Sequence, residues 1–378
     1  MSGNLNIKEF NYDQSYSAFE RQSNDSQLTS HALETFLKAL RQRSIIFNGN
    51  QPVKVSEIAC GPAVRTVNYF KNMDFSPGFD IRATDFNEKF TGKNGFDYDS
   101  STCSEEKLAA VVDDSSNEDV GLIVKTFFDA IKNRVLPLKS FSVKRGNAFD
   151  DNLLELLAKN GSSIEAERNT FSLVIASHCL YYVLNEKVPE VSFQKFFNSL
   201  TSDLLAKNGI AILCHSMLKP KSHIALETKY DFHKIKNVCP TPEEYQKYSI
   251  DAIIERHCQI NDLPYYKMEV NTSVCYTDAF FNQQDIFKDI HRYNELDDDA
   301  LDNLLRLLFI ARRSAMDLYQ DQSCFGLNSL VDEVASIAKE DRCLRDYDRI
   351  YLVLSQHATQ EFKDQIKSVV EDLNSTAP

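Results

Sequence analysis

Between Val53 and His215 short β-favouring runs alternate with helix-length stretches, and this alternation restricts the fold more than any other feature of the chain. The runs are Val53–Ile58, Phe79–Thr84, Phe141–Lys144, Phe171–Ala176 and Ile210–His215, with helical patterns at about 151–159 and 191–206. Strands joined through helices pair in parallel, by right-handed crossovers, in a sheet with helices on both faces. Upstream, Leu28, Leu33, Phe36, Leu37 and Leu40 recur at helical spacing behind Ser23-Asn24-Asp25-Ser26, which predicts a capped amphipathic helix over about 27–44. The second half differs in texture. Ser222–Lys236, Ile250–Gln259, Gln284–Tyr293 and Ala300–Ala315 read as helices, while Tyr266–Cys275 and Arg349–Ser355 read as a closing antiparallel pair. The helical run between those strands is then an insertion over the open end of the sheet. The acidic stretch at about 94–119 reads as a solvated insertion. The expected organisation is an N-terminal cap (1–45), an α/β core (46–216) and a C-terminal part with the helical insertion (217–378).

The chain has 378 residues, with 55 Asp and Glu against 42 Lys and Arg, a formal charge of −13. That field repels phosphate backbones and anionic lipid, so nucleic-acid and membrane partners are disfavoured and a cationic small molecule is favoured. Nine cysteines are scattered without a CxxC pair, so neither a disulfide framework nor a zinc site is expected, and no metal. A reducing, cytoplasmic setting fits this usage. The N-terminus has no basic region followed by an apolar run, and the longest apolar run is interrupted at Ser177-His178. A secretion signal and a membrane span are therefore not expected.

Four segments carry chemistry. Val53–Ile58 leads through Glu57 into a turn of small residues, Ala59-Cys60-Gly61-Pro62-Ala63, where a nucleotide could approach the backbone; alone, the stretch fits any strand–turn–helix. Asp85, followed by Phe86, ends the second strand 24 residues after Gly61. Its carboxylate suits two ribose hydroxyls, or simply caps a helix. Gly146-Asn147-Ala148-Phe149-Asp150 follows the third strand; Asn147 can bond a purine edge and Phe149 cover its face, and a plain turn is the alternative. Phe171–Ala176 breaks into Ser177-His178-Cys179-Leu180-Tyr181-Tyr182, polar and aromatic residues gathered at a strand end.

The first turn resembles motif I of class I S-adenosylmethionine-dependent methyltransferases, with Gly61 at one of three glycine places and Ala59 and Ala63 at the others. The resemblance implies a Rossmann-like fold with seven mostly parallel strands. It implies S-adenosylmethionine as cofactor, held by Glu57, Ala59, Gly61, Pro62, Asp85, Phe86, Asn147, Ala148, Phe149 and Ser177. A narrower likeness links Tyr16-Ser17-Ala18-Phe19 through Gln27, Leu180–Val183 and Phe196–Leu200 to the histamine N-methyltransferase family. There the N-terminal segment folds over the pocket, and Asp25 stands where the family's acidic residue contacts the substrate amine. The family's Gln after the fourth strand is His178 here. The resemblance implies N-methylation of a small amine, with Tyr16, Phe19, Asp25, His178, Tyr181 and Tyr182 around the acceptor and Asp25 and His178 as proton acceptors. The alternatives are O-methylation of a carboxylate or hydroxyl, and a catalytically silent methyltransferase-like binding protein. A nicotinamide-dependent oxidoreductase would need the missing glycines.

Overall fold

The computed structural model describes the chain except residues 1–5, 7, 115, 119, 150–151, 161–162, 181–182, 184–188, 237–240, 242–248 and 377–378. The chain divides into two compact units. A core unit comprises Ser30–His215, Ile250–Glu269 and Arg349–Pro378; a helical unit comprises Met1–Thr29, Ser216–Ser249 and Val270–Asp348.

Eight strands form one sheet: β1 (Val53–Ile58), β2 (Phe79–Asp85), β3 (Phe96–Asp99), β4 (Leu138–Arg145), β5 (Phe171–Ser177), β6 (Leu205–Ser216), β7 (Tyr265–Cys275) and β8 (Cys343–Leu354). Their order is β3-β4-β2-β1-β5-β6-β8-β7. The five strands from β4 to β6 run parallel, as the alternation requires. β1 is buried at every position but Lys54, the apolar run of a strand covered on both faces.

Both ends of the sheet break the parallel pattern, so it is mixed and eight-stranded where seven mostly parallel strands were expected. At one edge β3 pairs antiparallel with β4. This strand comes from the acidic stretch read as a solvated insertion, which also holds the helix Glu105–Val112. Tyr98, buried on β3, packs against Phe141 of β4 with ring centres 5.2 Å apart. At the other edge, β8 runs against both neighbours. In the core unit Leu354 N–H bonds to the Pro264 carbonyl and Ser355 N–H to the Gly209 carbonyl; in the helical unit Tyr276 N–H bonds to Arg342 and Met217 N–H to Tyr347. The closing antiparallel pair is thus present, and β8 starts six residues before the expected Arg349.

The chain enters through α1 (Tyr12–Gln22) and α2 (Asp25–Gln42). In the helical unit, Asp298–Ala311 and Leu327–Ile337 supply much of an apolar core with Leu304, Leu307, Leu330, Val331 and Leu344. Cys275 and Cys343 form a disulfide across β7 and β8, which corrects the expectation of none. Among the described residues no helix is long and apolar enough to cross a membrane.

Candidate functional site

The order β4-β2-β1-β5-β6 reverses direction between β1 and β5: from β1 the chain builds outward to β2 and β4, then returns to start β5 on the other side. Ligands of open α/β sheets bind outside the carboxyl ends of the strands at such a switch point. The turns singled out in the sequence are the segments that leave those carboxyl ends in the core unit.

The turn after β1 has an unusual backbone. Ala59, Gly61 and Ala63 take φ of 52°, 55° and 59°, all left-handed. For alanine this costs about 1–2 kcal/mol per residue, because Cβ crowds the following carbonyl. The turn therefore keeps the shape that three glycines would give, although two are absent. α3 (Val64–Phe70) starts directly behind it. A Cβ built on Gly61 would meet nothing within 4 Å, so open space lies above the turn.

Asp85 joins the turns. Its Oδ2 accepts the Gly61 N–H at 2.9 Å, its Oδ1 accepts the Asn87 N–H at 2.9 Å, and its carbonyl accepts the Gly146 N–H at 3.1 Å. One residue thereby holds the segments after β1, β2 and β4 together. Burial raises its carboxyl above the ordinary range, against the lowering effect of these N–H donors. Glu57 is buried on β1, and its Oε2 has no hydrogen-bond partner among the described atoms. Burial pushes this carboxyl well above the ordinary carboxylate range, with the Arg65 charge opposing.

The other residues named from the sequence fall as follows. Asn147 Oδ1 accepts the Phe149 N–H at 3.1 Å, closing a tight turn. Ala148 and Phe149 are buried, and the Phe149 ring lies 4.9 Å from that of Phe196. Pro62 and Phe86 are exposed, Phe86 at 57%. At the end of β5, Ser177 Oγ accepts from the Tyr69 hydroxyl of α3 at 3.3 Å. His178 is left-handed at φ 54°, its N–H bonds to the Cys214 carbonyl at 2.7 Å, and its Nε2 lies 3.5 Å from Cys214 Sγ. Tyr181 and Tyr182 lie outside the described residues. A surface cleft of about 720 Å³ in the core unit, lined by Arg43, Ile45, Glu361, Asp364, Gln365 and Ser368, includes none of these turns.

Tyr16, Phe19 and Asp25 belong to the helical unit. Tyr16 stacks on Tyr12 with ring centres 5.8 Å apart, and Phe19 lies 5.1 Å from Phe309 and 4.8 Å from His223. Asp25 is buried at the start of α2, where the Thr29 hydroxyl lies 3.1 Å from its Oδ1 and 2.8 Å from Asp348 Oδ2. Asp348 also accepts from Ser216 at 2.8 Å, and Asp346 accepts the His223 N–H at 2.9 Å. Burial, then the Asp25 charge, holds Asp348 well above the carboxylate range. Burial raises Asp346 to about 7, while burial and Arg312 lower His223 to about 3. Sequence reasoning named Asp25 and missed Asp346, Asp348 and His223. The available signal was Leu344, Asp346, Asp348 and Ile350 at period two, which places both carboxyls on a buried strand face.

No protein-family model matches the chain, and no curated protein matches it in sequence. Solved structures similar to it include the YcgJ protein of Bacillus subtilis, at 9% identity over 84% of this chain and 98% of that one, with a TM-score of 0.38. The plantazolicin methyltransferase BamL, in complex with a triazolic desmethylPZN analog and SAH, is 11% identical over 91% of this chain and 90% of its own, with a TM-score of 0.35. The plantazolicin methyltransferase BpumL, with a monoazolic analog and SAH, has the same identity and coverage and a TM-score of 0.33.

Proposed function

We propose that this chain is an S-adenosylmethionine-dependent methyltransferase acting on a small molecule, with an amine nitrogen as acceptor. The observation that carries the reading is the strained turn at the switch point. Two alanines hold a left-handed backbone that only glycine adopts freely, and strain of this kind is retained where a ligand needs the shape.

The residues present fit the cofactor. The open space above Gly61 admits a polar chain against the backbone, and the Asp85 carboxylate has lone pairs beyond its two N–H bonds for ribose hydroxyls. When bound, the sulfonium supplies an electrophilic methyl group and departs as a neutral thioether. The protein's work is then orientation and exclusion of water. In the core unit, Ser177 ends the strand that borders the switch point and His178 follows it, offering an imidazole as proton acceptor. The amine assignment draws on the net charge of −13 and on the Asp25 carboxyl, buried at the start of α2 in the helical unit that also holds the aromatic rings of Tyr16 and Phe19. Carboxylates and aromatic faces both favour a cation.

Calorimetric titration with S-adenosylmethionine, S-adenosylhomocysteine and NAD tests the cofactor. Binding of the first two and not the third is expected, and preference for NAD would overturn the reading. A panel of small amines, followed by release of S-adenosylhomocysteine, tests the acceptor. With the best amine, Asp25→Asn should raise KM about tenfold or more at unchanged cofactor affinity, because it removes the charge and keeps the shape. An unaltered KM, or turnover only with carboxylates or alcohols, would exclude the amine assignment.

A further inference from the structure

In the helical unit the N-terminal segment is tied to one end of β7. Ser23 forms a β-bridge with Val274. Asn24 N–H bonds to the Ser273 carbonyl at 3.1 Å, Ser273 N–H returns a bond to Asn24 Oδ1 at 2.7 Å, and Asn24 Nδ2 reaches Ser273 Oγ at 3.1 Å. Residues 23–24 thus lie as a short added strand on the edge strand of the sheet. The next residue but one is Cys275, bonded to Cys343 on β8. A second tie reaches the same point. Arg21 pairs with Asp302 at 2.6 Å, and Arg306, one turn further along that helix, donates to the Cys275 carbonyl.

We propose that the Cys275–Cys343 disulfide is a redox latch for residues 12–25, holding the segment docked while oxidised and releasing it when reduced. β7 ends the sheet order beside β8, and the disulfide to β8 lies two residues past Ser273, so it fastens the residues that Asn24 grips. Both cysteines are half-buried, whereas the six other described cysteines are not in disulfides. In a reducing compartment a disulfide is more often a switch than a framework. The reductant is a dithiol. Its thiolate attacks one sulfur to give a mixed disulfide, and its second thiol displaces the protein. Two electrons and two protons pass to Cys275 and Cys343, and the dithiol leaves as a disulfide. That release alters turnover rests on the methyltransferase reading; release itself does not.

The full-length protein is alkylated with iodoacetamide before and after dithiothreitol, and the labelled peptides are mapped by mass spectrometry. Cys275 and Cys343 should react only after reduction. Amide exchange over residues 12–25 should then quicken about tenfold or more and revert on reoxidation, with residues 59–63 unaffected. Cys343→Ser should match the reduced protein, and wild type with and without reductant suffices if that variant does not fold. Labelling of both cysteines without reductant, or exchange that ignores their oxidation state, overturns the latch. Exchange that responds in a protein unable to bind S-adenosylmethionine would leave the latch standing and sink the methyltransferase reading.

Discussion

Replacing Asp85 by Ala separates two roles that one carboxylate combines. Its oxygens take N–H bonds from Gly61 and Asn87, each at 2.9 Å. A bond to a charged acceptor contributes about 1.5–3 kcal/mol, so losing both costs about 3 kcal/mol or more, reduced where water reaches the half-exposed Gly61. Asp85→Asn keeps one oxygen and turns an amide N–H₂ toward the other donor, so at least one bond is lost. The unbound protein should therefore melt earlier in both variants. Cofactor affinity should fall further under conditions where the variant is fully folded. Two ribose hydroxyls on a charged acceptor correspond to roughly 2–4 kcal/mol, or about 30- to 1,000-fold in Kd. The assay is calorimetry with S-adenosylmethionine at 15 °C, roughly where a fold is near its stability maximum, after circular dichroism has verified folding. A folded Asp85→Ala protein that binds as wild type does would refute the ribose role, and one as stable as wild type would refute the clasp.

Ala59→Gly should stabilise the protein by roughly 0.5–1 kcal/mol, the relief of left-handed strain less the greater freedom of glycine in the unfolded chain. Ala63→Gly should gain nothing in chemical denaturation, because Ala63 is fully buried and its methyl contributes about 0.8 kcal/mol. No gain at Ala59 would contradict the strain assignment, and equal gains at both sites would contradict the burial offset at Ala63. Asp346, raised to about 7 chiefly by burial with the Asp25 charge adding to it, contributes stability that is complete below the unfolded value near 4 and is lost as pH rises to about 7. Wild type should lose up to about 4 kcal/mol across that window, and Asp346→Asn, whose amide oxygen can still accept the His223 N–H, should lose less. Parallel pH–stability curves for the two proteins would show that Asp346 does not titrate there.

The five parallel strands, their turns and Asp85 were legible because each is announced locally, by an apolar run ending in small or polar residues. Buried parallel strands must be apolar on both faces, so their signal survives in one dimension. Four features were decided only in three dimensions. β3 hides in an acidic stretch because an edge strand needs one partner and buries few side chains; Tyr98 on Phe141 is enough. Cys275 and Cys343 are 68 residues apart, and only the antiparallel register of β7 and β8 brings them together. Asp346 and Asp348 share a strand face with Leu344 and Ile350 by period two, but which parts of the chain cover that face and turn the carboxyls into a buried group no local pattern records. The turn after β1 is the sharpest case. Alanine's own preference opposes φ near +55°, yet Asp85, drawn alongside by the pairing of β2 with β1, holds the Gly61 N–H between the two alanines and fixes a backbone that their side chains disfavour.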